Sequence, residues 1–453
     1  MDTGQAMNWN AKQVLILGLG ASGLAAARWL IRRGAEVRVA DQSAAPSALP
    51  ALREQCPEVV VHLGAWQVED LAWAQYIVVS PGVPLSHPLI QATIATGKPV
   101  WSDVEVFAQA LPLTARVIAI SGSNGKSTVT TMVASMCEAA GLRTQMAGNI
   151  GIPVLEALDQ DIQTEVFVLE LSSFQLESVY SLHSAAATVL NISEDHLDRY
   201  PGMRAYAAAK ARIYAGAGVQ VIHRDDAFSV QWAHSGRRQL SFGLSPAKNE
   251  DEFGLQAGYL CRGSQRLMPA ADLRVAGQHN VANALAAWAL CHALGLPDAP
   301  LAQALREFGG LAHRVEWVAK VADVDFYDDS KGTNVGATVA ALKGMNRPLV
   351  LIAGGEGKGQ DFSPLAEAMN TCTGLVQIGR DGGLIAQAVA GTGVPIFRAE
   401  NMEDAVALAY AQAKPGDAVL LSPACASFDM FNNYAHRAQV FIAAVQHLAQ
   451  EHV

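Results

Sequence analysis

Short apolar runs alternate with alanine-rich stretches along nearly the whole chain. The apolar runs are rich in valine, isoleucine and leucine, and examples are "QVLIL", "RVIAI", "EVFVLE" and "PLVLIAGG". The alanine-rich stretches that follow them have the composition of helices, as in "SGLAAARWLIRR". This alternation is typical of parallel sheets whose two faces are covered by helices. The pattern therefore predicts an α/β fold.

Two breaks in this pattern predict domain boundaries. A proline-bounded break lies near "QALPLTA", and the alternation restarts around "FGGLAHRVEWV". A chain of 453 residues is also too long for one hydrophobic core, and about 150 residues per domain gives roughly three domains. We therefore expect domains at residues 1–111, 112–310 and 311–453. Each should be a mostly parallel sheet flanked by helices, Rossmann-like or of the P-loop type.

Charge and composition limit the kinds of binding partner that we expect. The net charge is -10, the isoelectric point is near 5.6, and positive charges are not clustered. A nucleic-acid or membrane-surface partner is therefore not expected. The apolar run from Val14 to Ala27 is too short to span a bilayer, and its glycines fit a strand, a turn and a helix. The six cysteines are scattered, which favours reduced thiols and a cytoplasmic enzyme.

A glycine-rich loop between a predicted strand and a predicted helix is the first candidate site. Its residues are Gly122, Ser123, Asn124, Gly125, Lys126, Ser127 and Thr128. Backbone N–H groups at such a turn converge on phosphate oxygens, the lysine adds positive charge, and a hydroxyl of Ser127 or Thr128 can bind magnesium. However, the glycines are closer together than in the common phosphate-loop pattern. A turn that binds nothing is the alternative, and the spacing leaves the enzyme class open.

Acidic residues at predicted strand ends are candidate metal ligands. Glu170 ends the strand "EVFVLE", and Asp195, His196 and Asp198 follow another strand in "NISEDHLDRY". A carboxylate at the end of a strand beside a phosphate loop can hold magnesium. The alternatives are a solvent-exposed glutamate at a strand end and an ordinary polar loop.

The N-terminal segment predicts a nucleotide site of its own. Gly18, Gly20 and Gly23 in "GLGASG", with Asp41 at the end of the next strand, match the dinucleotide-binding pattern. Alone, this pattern indicates NAD. An oxidoreductase has no evident need for the second phosphate loop, whereas a fold that binds any nucleotide diphosphate explains both motifs.

Taken together, these motifs resemble the Mur ligases, ATP-dependent amide-forming enzymes of peptidoglycan synthesis. The motifs, in the family's order, are "GSNGKST", "LELSSFQLE", "NISEDHLDRY", "GQHNVANALAA", "HRVEWV", "DDSKGTN" and "LSPACASFDMF". The last motif and "GLGASG" resemble the D-glutamate-adding members most. The resemblance covers essentially the whole chain.

The resemblance implies a reaction and a ligand for each of the three domains. ATP phosphorylates the alanyl carboxylate of UDP-N-acetylmuramoyl-L-alanine, and D-glutamate attacks the acyl phosphate. The first domain would bind the UDP substrate, the central domain ATP, and the third would close over ATP and bind the amino acid. Two Mg²⁺ ions and a monomeric enzyme are also implied.

The resemblance further implies roles for individual residues. Lys126, Glu170, His196 and Lys210 would be catalytic; Ser127 and Glu170 would bind one Mg²⁺ ion, and His196 and Lys210 the other. Lys210 would carry a carbamate. The phosphate loop, with Asn283, Arg314 and Asp329, would bind ATP, and Asn280 matches another active-site position. The UDP substrate would contact Ser22, Asp41, Asn149 and His196, and D-glutamate would contact Lys331, Thr333, Lys358, Ser427 and Tyr434.

Some positions depart from the family pattern, and other classes of protein compete. Gln42 and Ser43 stand where a threonine and a basic residue can occur, and Tyr434 where phenylalanine can occur. An NAD-dependent oxidoreductase would use "GLGASG" and Asp41. A regulatory nucleotide-binding module would need the phosphate loop but not the catalytic residues. Folylpolyglutamate synthases share the central loop but should lack the N-terminal unit.

Overall fold

The predicted α/β fold is confirmed. The structure is a computed structural model and describes residues 7–160, 163–275, 277–345 and 347–451. These residues form three sheets in which most neighbouring strands are parallel, and helices connect the strands. Within the described part of the chain, contacts define two compact units, of residues 1–192, 204–270 and 283–306 and of residues 193–203, 271–282 and 307–453.

The first sheet lies in the first unit and has the strand order β3-β2-β1-β4-β5, with parallel pairing throughout. Its strands are β1 (Gln13–Leu17), β2 (Glu36–Asp41), β3 (Val60–Leu63), β4 (Tyr76–Val79) and β5 (Val100–Ser102). Its helices are α1 (Ala21–Arg32), α2 (Leu49–Gln55), α3 (Val68–Trp73), α4 (Pro88–Ala95) and α5 (Asp103–Ala110). From β1 the chain adds β2 and β3 on one side of the sheet and then β4 and β5 on the other side, so the strand order changes direction at β1. Open parallel sheets bind ligands at such a point.

The second sheet also belongs to the first unit and has the order β14-β13-β12-β11-β10-β9-β6-β8-β7. Its strands are β6 (Arg116–Ser121), β7 (Thr144–Gly148), β8 (Val166–Glu170), β9 (Ala186–Val189), β10 (Val219–His223), β11 (Gln239–Phe242), β12 (Glu252–Gln256), β13 (Tyr259–Arg262) and β14 (Gln265–Pro269). The helices of this region are α6 (Lys126–Ala139), α7 (Val154–Gln160), α8 (Ser173–Leu176), α9 (Met203–Ala211), α10 (Ala227–Gln231), α11 (Gln278–Ala293) and α12 (Asp298–Glu307). Pairing is parallel from β7 to β12 and antiparallel from β12 to β14.

The third sheet lies in the second unit and has the order β15-β16-β20-β17-β18-β19. Its strands are β15 (Glu316–Val321), β16 (Val324–Asp328), β17 (Leu349–Gly354), β18 (Cys372–Ile378), β19 (Ile396–Arg398) and β20 (Ala418–Leu421). Its helices are α13 (Val335–Gly344), α14 (Ser363–Ala368), α15 (Gly382–Val389), α16 (Met402–Gln412) and α17 (Tyr434–Glu451). The strand β15 pairs antiparallel with β16, and the other neighbours are parallel. Among the described residues, no helix combines the length and the apolar character needed to cross a membrane.

Buried hydrogen bonds join the first and second sheets into one compact unit. The carboxylate of Glu105 in α5 is buried and accepts hydrogen bonds from the backbone N–H groups of Tyr180 and Ser181, at 2.6 and 2.9 Å. It also accepts one from the Ser181 hydroxyl at 2.6 Å. At the surface, Arg32 pairs with Asp159 at 2.9 Å. Because a buried carboxylate without donors is costly, these bonds hold α5 against the loop after α8.

A fully buried carboxylate at the start of α5 predicts a pH-dependent stability. Burial raises the pKa of Asp103 from 3.8 to about 6, although hydrogen bonds from Ser22 and Val104 oppose the shift. The folded chain therefore holds this proton more tightly than the unfolded chain. The stabilisation is complete below about pH 3.8 and is lost as the pH rises through about 6. The total change in the free energy of unfolding is about 3 kcal/mol, most of it between pH 4 and 7.

We expect Asp103→Asn to remove this part of the pH dependence. Urea unfolding of the wild type and the variant at pH 4, 5.5 and 7 measures it, because the difference between the two proteins cancels the titration of all other groups. The free energy of unfolding of the variant, relative to wild type, should rise with pH. A constant difference across this range would contradict the assignment to Asp103.

Candidate active site

The phosphate loop has the strand–loop–helix geometry that the sequence predicts. It leaves β6, and α6 begins at Lys126 with Gly125 as its N-terminal cap. Gly122 and Gly125 have φ angles of 145° and 82°, which side chains other than glycine rarely adopt. A Cβ atom on Gly125 would also lie 2.6 Å from the amide oxygen of Asn283. Both glycines are thus required by the backbone path, and Asn283 lies against the loop. The predicted contact of Asn283 with ATP stays a prediction.

Lys126 is held by the loop that it follows. Its Nζ donates hydrogen bonds to the carbonyl oxygens of Gly122 and Ser123, both at 2.8 Å. The ammonium group is therefore fixed beside the loop, where backbone N–H groups at the start of α6 also concentrate positive potential. Ser127 and Thr128 occupy the first turn of α6 and are buried.

Asn191 anchors the phosphate loop from the adjacent strand end, and the sequence analysis did not identify it. Its side-chain oxygen accepts a hydrogen bond from the N–H of Asn124 at 2.9 Å, and its side-chain nitrogen donates to the carbonyl of Asn124 at 3.0 Å. Its backbone carbonyl accepts from the N–H of Ser123 at 2.9 Å. The position of Asn191 at the start of "NISEDHLDRY" was the available signal, since this motif follows the strand next to β6.

Lys210 is buried against the same loop. Its side chain, in α9, belongs to a residue that is only 2% exposed, and its Nζ donates to the carbonyl oxygen of Gly122 at 2.8 Å. The Nζ atom also lies 4.6 Å from the centre of the Tyr206 ring, and the Tyr206 hydroxyl is 3.2 Å from the Ser123 hydroxyl. An ordinary exposed helix lysine is therefore excluded at this position. Lys210 therefore lies at the phosphate loop, and its role there stays a prediction.

Glu170 ends β8 directly beside the phosphate loop. Ile120 of β6 pairs with Glu170 in the parallel ladder, so the ends of both strands meet at one edge of the sheet. The residue is 1% exposed, which rules out the solvent-exposed glutamate. Its Oε1 accepts a hydrogen bond from the side-chain nitrogen of Asn149 at 2.8 Å. Its Oε2 is buried and has no hydrogen-bond partner among the described residues.

This buried, unpaired carboxylate oxygen fits a metal ligand. A buried charge is costly unless a cation or a hydrogen-bond donor compensates it, and carboxylate and hydroxyl oxygens are the ligands that Mg²⁺ prefers. Glu170, the hydroxyl of Ser127 and Lys210, on which the family resemblance implies a carbamate, all belong to the first unit. The fourth predicted ligand, His196, belongs to the second unit. Its φ angle is 57°, and its Nε2 lies 3.7 Å from the Asp195 carboxylate.

The N-terminal glycine turn borders a separate cavity. The cavity has a volume of about 400 Å³, and its lining includes Gly18, Gly20, Ser22, Asp41 and Gln42. The two predicted substrate residues of this segment therefore line one pocket. The turn is tightly packed, because a Cβ atom on Gly23 would lie 2.1 Å from the carbonyl oxygen of Gly18.

Asp41 stabilises the glycine turn through hydrogen bonds, and its predicted contact with the substrate stays a prediction. Its Oδ2 accepts a hydrogen bond from the N–H of Leu19 at 2.6 Å, and its Oδ1 accepts from the N–H of Ser43 at 2.7 Å. Gln42 approaches His87, with 3.4 Å between the two side-chain nitrogens. The carboxylate therefore fixes the glycine turn while it faces the cavity.

In the second unit, three loops converge at the carboxyl edge of the third sheet, because β16, β20 and β17 are parallel neighbours. We call them the three site loops; they comprise residues 329–334 after β16, 355–362 after β17 and 422–433 after β20. The predicted amino-acid residues lie on them or directly after them, namely Lys331, Thr333, Lys358, Ser427 and Tyr434. The structure thus brings together residues that are about a hundred positions apart in the sequence.

Lys358 is a cation of the second site loop that forms an ion pair. Its backbone is left-handed, with a φ angle of 53°, and its Nζ forms an ion pair with the carboxylate of Asp195. The same carboxylate lies 3.4 Å from the side-chain nitrogen of Asn334. Nearby, the Nζ of Lys331 lies 3.8 Å from the centre of the Tyr434 ring. Both lysines are therefore positioned by specific neighbours at this edge.

Asp329, at the start of the first site loop, is fully buried. Burial raises the pKa of its carboxyl from 3.8 to about 7, although a hydrogen bond from Ser422 and the charge of Arg314 oppose the shift. The hydroxyl of Ser422 donates to its Oδ2 at 2.6 Å. The charge of Arg314 also lowers the pKa of His279, after the larger effect of burial. Arg314 and Asp329, both predicted to reach ATP, therefore interact electrostatically within the second unit.

Arg437 connects two of the site loops through hydrogen bonds. The sequence analysis did not identify it. It is 1% exposed, and its guanidinium donates to the carbonyl and hydroxyl oxygens of Ser330 at 2.8 and 3.0 Å. It also donates to the carbonyl of Cys425 at 3.1 Å. Burial lowers its pKa to about 10, so it stays charged at neutral pH. An arginine inside a helix gives no signal of this role, because its partners are distant in sequence.

His313, Glu316 and Asp328 form a further polar cluster of the second unit. One ligand-type atom from each lies within 4.8 Å of the others. His313 Nδ1 and the buried Asp328 carboxylate are 2.6 Å apart, a hydrogen bond that orients the ring. None of the three was predicted to bind metal.

Comparisons with known proteins agree with this arrangement. A model of the Mur ligase middle domain matches residues 120–291, one of the MurD-like N-terminal domain of Mur ligases matches residues 12–102, and one of the Mur ligase glutamate ligase domain matches residues 313–425. The chain is 56% identical over 447 residues to the UDP-N-acetylmuramoylalanine–D-glutamate ligase of Methylobacillus flagellatus, with 98% of each chain covered. It is 52% identical over 466 residues to the enzyme of the same name from Thiobacillus denitrificans, again with 98% of each chain covered.

Solved structures of low sequence identity share the fold. A pseudomurein peptide ligase type C from Methanothermus fervidus has a TM-score of 0.61 at 17% identity, over 96% of this chain and 100% of that chain. The UDP-N-acetylmuramate-alanine ligase of Thermotoga maritima has a TM-score of 0.60 at 18% identity, over 96% of this chain and 99% of that chain. The oxidoreductase and the regulatory module are excluded by the domain matches and the two ligases of high identity, not by the shared fold. Three domain models in order, and relatives that are identical at half of the positions over nearly the whole chain, show that the chain belongs to the Mur ligase family of ATP-dependent, amide-forming enzymes.

Proposed function

We propose that the protein joins D-glutamate to UDP-N-acetylmuramoyl-L-alanine, with ATP cleaved to ADP and phosphate, in the cytoplasmic synthesis of peptidoglycan precursors. The observation that carries the proposal is the placement of Lys126, Lys210 and Glu170, whose Oε2 has no hydrogen-bond partner among the described residues, around one phosphate loop. Such a site stabilises a transferring phosphoryl group rather than a hydride. The names of the relatives from Methylobacillus flagellatus and Thiobacillus denitrificans support this choice of substrates.

The proposed reaction has two steps in which atoms and charges balance. In the first, an oxygen of the alanyl carboxylate attacks the γ-phosphorus of ATP, a new P–O bond forms, and the bond to the β-phosphate oxygen breaks as ADP leaves. In the second, the amine of D-glutamate attacks the acyl carbon, a C–N bond forms, and the C–O bond to the phosphoryl group breaks as inorganic phosphate leaves. The proton that the amine loses goes to the released phosphate or to solvent.

The residues of the first unit lower the barrier of the first step. An anion must approach an anion, so fixed positive charge near the γ-phosphate stabilises the transition state more than the ground state. Lys126 supplies this charge, and its two hydrogen bonds to loop carbonyls keep the ammonium in place. The backbone N–H groups at the start of α6 orient the phosphates.

Ser127, Glu170, His196 and Lys210 are the residues that would hold magnesium. Bound Mg²⁺ supplies charge neutralisation at the phosphates. We propose two ions, and a carbamate on Lys210, which converts a cation into an anionic ligand. Burial of Lys210 beside the loop supports this proposal, because a buried ammonium next to other cations is unfavourable.

The remaining predicted residues divide into substrate groups. Ser22 and Asp41 would contact the UDP portion at the N-terminal cavity, and Asn149 and His196 would contact the rest of that substrate. Asn283, Arg314 and Asp329 would contact ATP. We retain domain ranges of 1–111, 112–310 and 311–453 and a monomeric enzyme as parts of the proposal.

Phosphate release tests the function directly. The purified protein is incubated with ATP, magnesium and UDP-N-acetylmuramoyl-L-alanine, and D-glutamate, L-glutamate, D-alanine or a diamino acid is added separately. We expect release with D-glutamate and little with the other amino acids. Equal turnover of the two glutamate enantiomers, or a preference for a diamino acid, would overturn the proposed substrate and leave the step within the family open.

Ser427→Ala tests the amino-acid site. D-Glutamate brings two carboxylates, and losing one hydrogen bond to a charged group costs about 1.5 to 3 kcal/mol, or roughly 10- to 150-fold in affinity. Ser427 is 3% exposed on the third site loop, and its backbone carbonyl accepts hydrogen bonds from Met430 and Phe431, so the residue is held in a packed position. We expect a higher KM for D-glutamate and a nearly unchanged KM for ATP, measured by phosphate release at varied concentrations of each. A rise in both constants would place Ser427 outside the amino-acid site.

A further inference from the structure

The side chain of Gln360 makes hydrogen bonds to backbone groups in or next to all three site loops. Its Oε1 accepts a hydrogen bond from the N–H of Val335, the residue that follows the first loop, at 3.0 Å. Its Nε2 donates to the carbonyl oxygen of Gly357 in the second loop at 2.8 Å. The same nitrogen lies 3.4 Å from the carbonyl oxygen of Ala424 in the third loop. One amide group therefore connects three segments that are far apart in sequence.

These bonds satisfy backbone groups at the ends of the site loops, and the Gly357 carbonyl also accepts from the backbone N–H of Gln360 at 3.1 Å. Val335 is the first residue of α13, where backbone N–H groups lack partners inside the helix. Asn334 caps the same helix by accepting from the N–H of Ala337 at 2.9 Å, which leaves the Val335 N–H to Gln360. Gln360 is 7% exposed, so breaking its bonds leaves buried polar groups unpaired.

The second site loop needs such an anchor. Lys358 and Gly359 both have left-handed backbones, with φ angles of 53° and 74°. A left-handed lysine persists only where its surroundings hold it. The backbone N–H and the side-chain nitrogen of Gln360 both donate to the Gly357 carbonyl, at 3.1 and 2.8 Å, and close the short segment that contains Lys358. The side chain alone ties this closed segment to Val335 and Ala424, and so fixes where Lys358 lies relative to the other two loops.

We propose that Gln360 is a positioning residue for the amino-acid substrate. It holds Lys358 in register with Thr333 and Ser427, and it touches no substrate itself. The inference rests on the proposed function, because it assigns the carboxylates of D-glutamate to these three residues. Misplacement of binding groups by about 1 Å can cost 100-fold in rate.

Gln360→Met tests this role. Methionine has a similar size and shape but makes none of these hydrogen bonds, so packing is largely kept. We expect the KM for D-glutamate to rise about 10- to 100-fold, while the KM for ATP changes less than about twofold.

Gln220→Met is the matched control. Gln220 is 1% exposed in β10 of the first unit, and its Oε1 accepts a hydrogen bond from the N–H of His234 at 2.9 Å. The control also removes a buried amide, but it lies in a different sheet from the site loops. It should lower the melting temperature without changing the KM for D-glutamate.

Amide hydrogen exchange gives a readout that does not depend on turnover. In Gln360→Met the N–H of Val335 should exchange at least about 10-fold faster than in wild type, because its partner is gone. The N–H of Ala337, which is bonded to Asn334, should keep its rate and serves as the internal standard. Unchanged exchange at Val335 would show that the anchor does not exist and would overturn the proposal.

The outcomes distinguish a failure of the positioning role of Gln360 from a failure of the proposed substrate. If wild type turns over D-glutamate but Gln360→Met has an unchanged KM for it, Gln360 is only structural and the inference is wrong. A parallel rise of both KM values would also contradict it. If wild type shows no turnover with D-glutamate under conditions that support another amino acid, the proposed substrate fails, and the KM for that amino acid becomes the quantity that must rise.

Discussion

Lys126→Ala should abolish turnover. The lysine ammonium is the fixed cation that the phosphate loop itself holds, through bonds of 2.8 Å to the carbonyls of Gly122 and Ser123. Removing a preorganised charge from a phosphoryl-transfer site costs several kcal/mol of transition-state stabilisation, so kcat should fall by about 10³-fold or more. Phosphate release with all substrates at saturation measures this loss.

Lys248→Ala is the control for the loss of a positive charge. Lys248 is exposed and belongs to the same compact unit, so its replacement should leave kcat within about twofold of wild type. Binding of UDP-N-acetylmuramoyl-L-alanine, followed by calorimetry without ATP, should be similar in Lys126→Ala and wild type, because the N-terminal cavity is lined by other residues. Near-normal turnover of Lys126→Ala would refute the assignment of the phosphate loop.

The sequence was most informative where a motif joins a strand to a helix. The phosphate loop, Glu170 and Lys210 were predicted from local patterns and family resemblance, and the structure places all of them at one edge of the second sheet. Parallel strands make this possible, since the carboxyl ends of neighbouring strands meet at the same edge. The roles of these residues stay predictions until the variants are measured.

The antiparallel edge of the second sheet was not predicted. The hairpin between β12 and β13 turns through Ala257 and Gly258, which have φ angles of 49° and 78°. Two left-handed residues make the tight turn that matches the twist of a hairpin, but asparagine or aspartate before glycine is the usual sign of it. With alanine in that place, and with strands of only five and four residues on its two sides, no local signal was left.

The residues that hold the loops could not be predicted from the sequence either. Asn191, Gln360 and Arg437 act through bonds to backbone groups, and a backbone partner leaves no trace in the spacing of side chains. Likewise, the burial of Glu105 against Tyr180 joins two sheets that the sequence predicts as separate domains. Tertiary contacts of this kind depend on the whole fold, whereas the alternation of strands and helices depends on local patterns.

Lys210→Ala should be nearly inactive, and a small carboxylic acid should partly restore its activity. The hypothesis is that Lys210 carries a carbamate, whose anionic oxygens bind magnesium. The side chain is buried, donates to the carbonyl of Gly122 at 2.8 Å and lies against the Tyr206 ring. Truncation to alanine removes the ligand and leaves space that formate, acetate or propionate can enter.

The expected loss is about 10³-fold in kcat, and rescue should saturate with the concentration of the acid. Lys210→Arg keeps a positive charge but cannot form the carbamate, so it should be as inactive as the alanine variant and should not respond to acids. Adding ¹³C-bicarbonate to wild type should give a carbamate carbon signal that both variants lack. If Lys210→Arg is active, or if the wild type gives no such signal in the presence of magnesium and nucleotide, Lys210 acts at the loop as a cation, and its hydrogen bond to Gly122 is then the contact that matters.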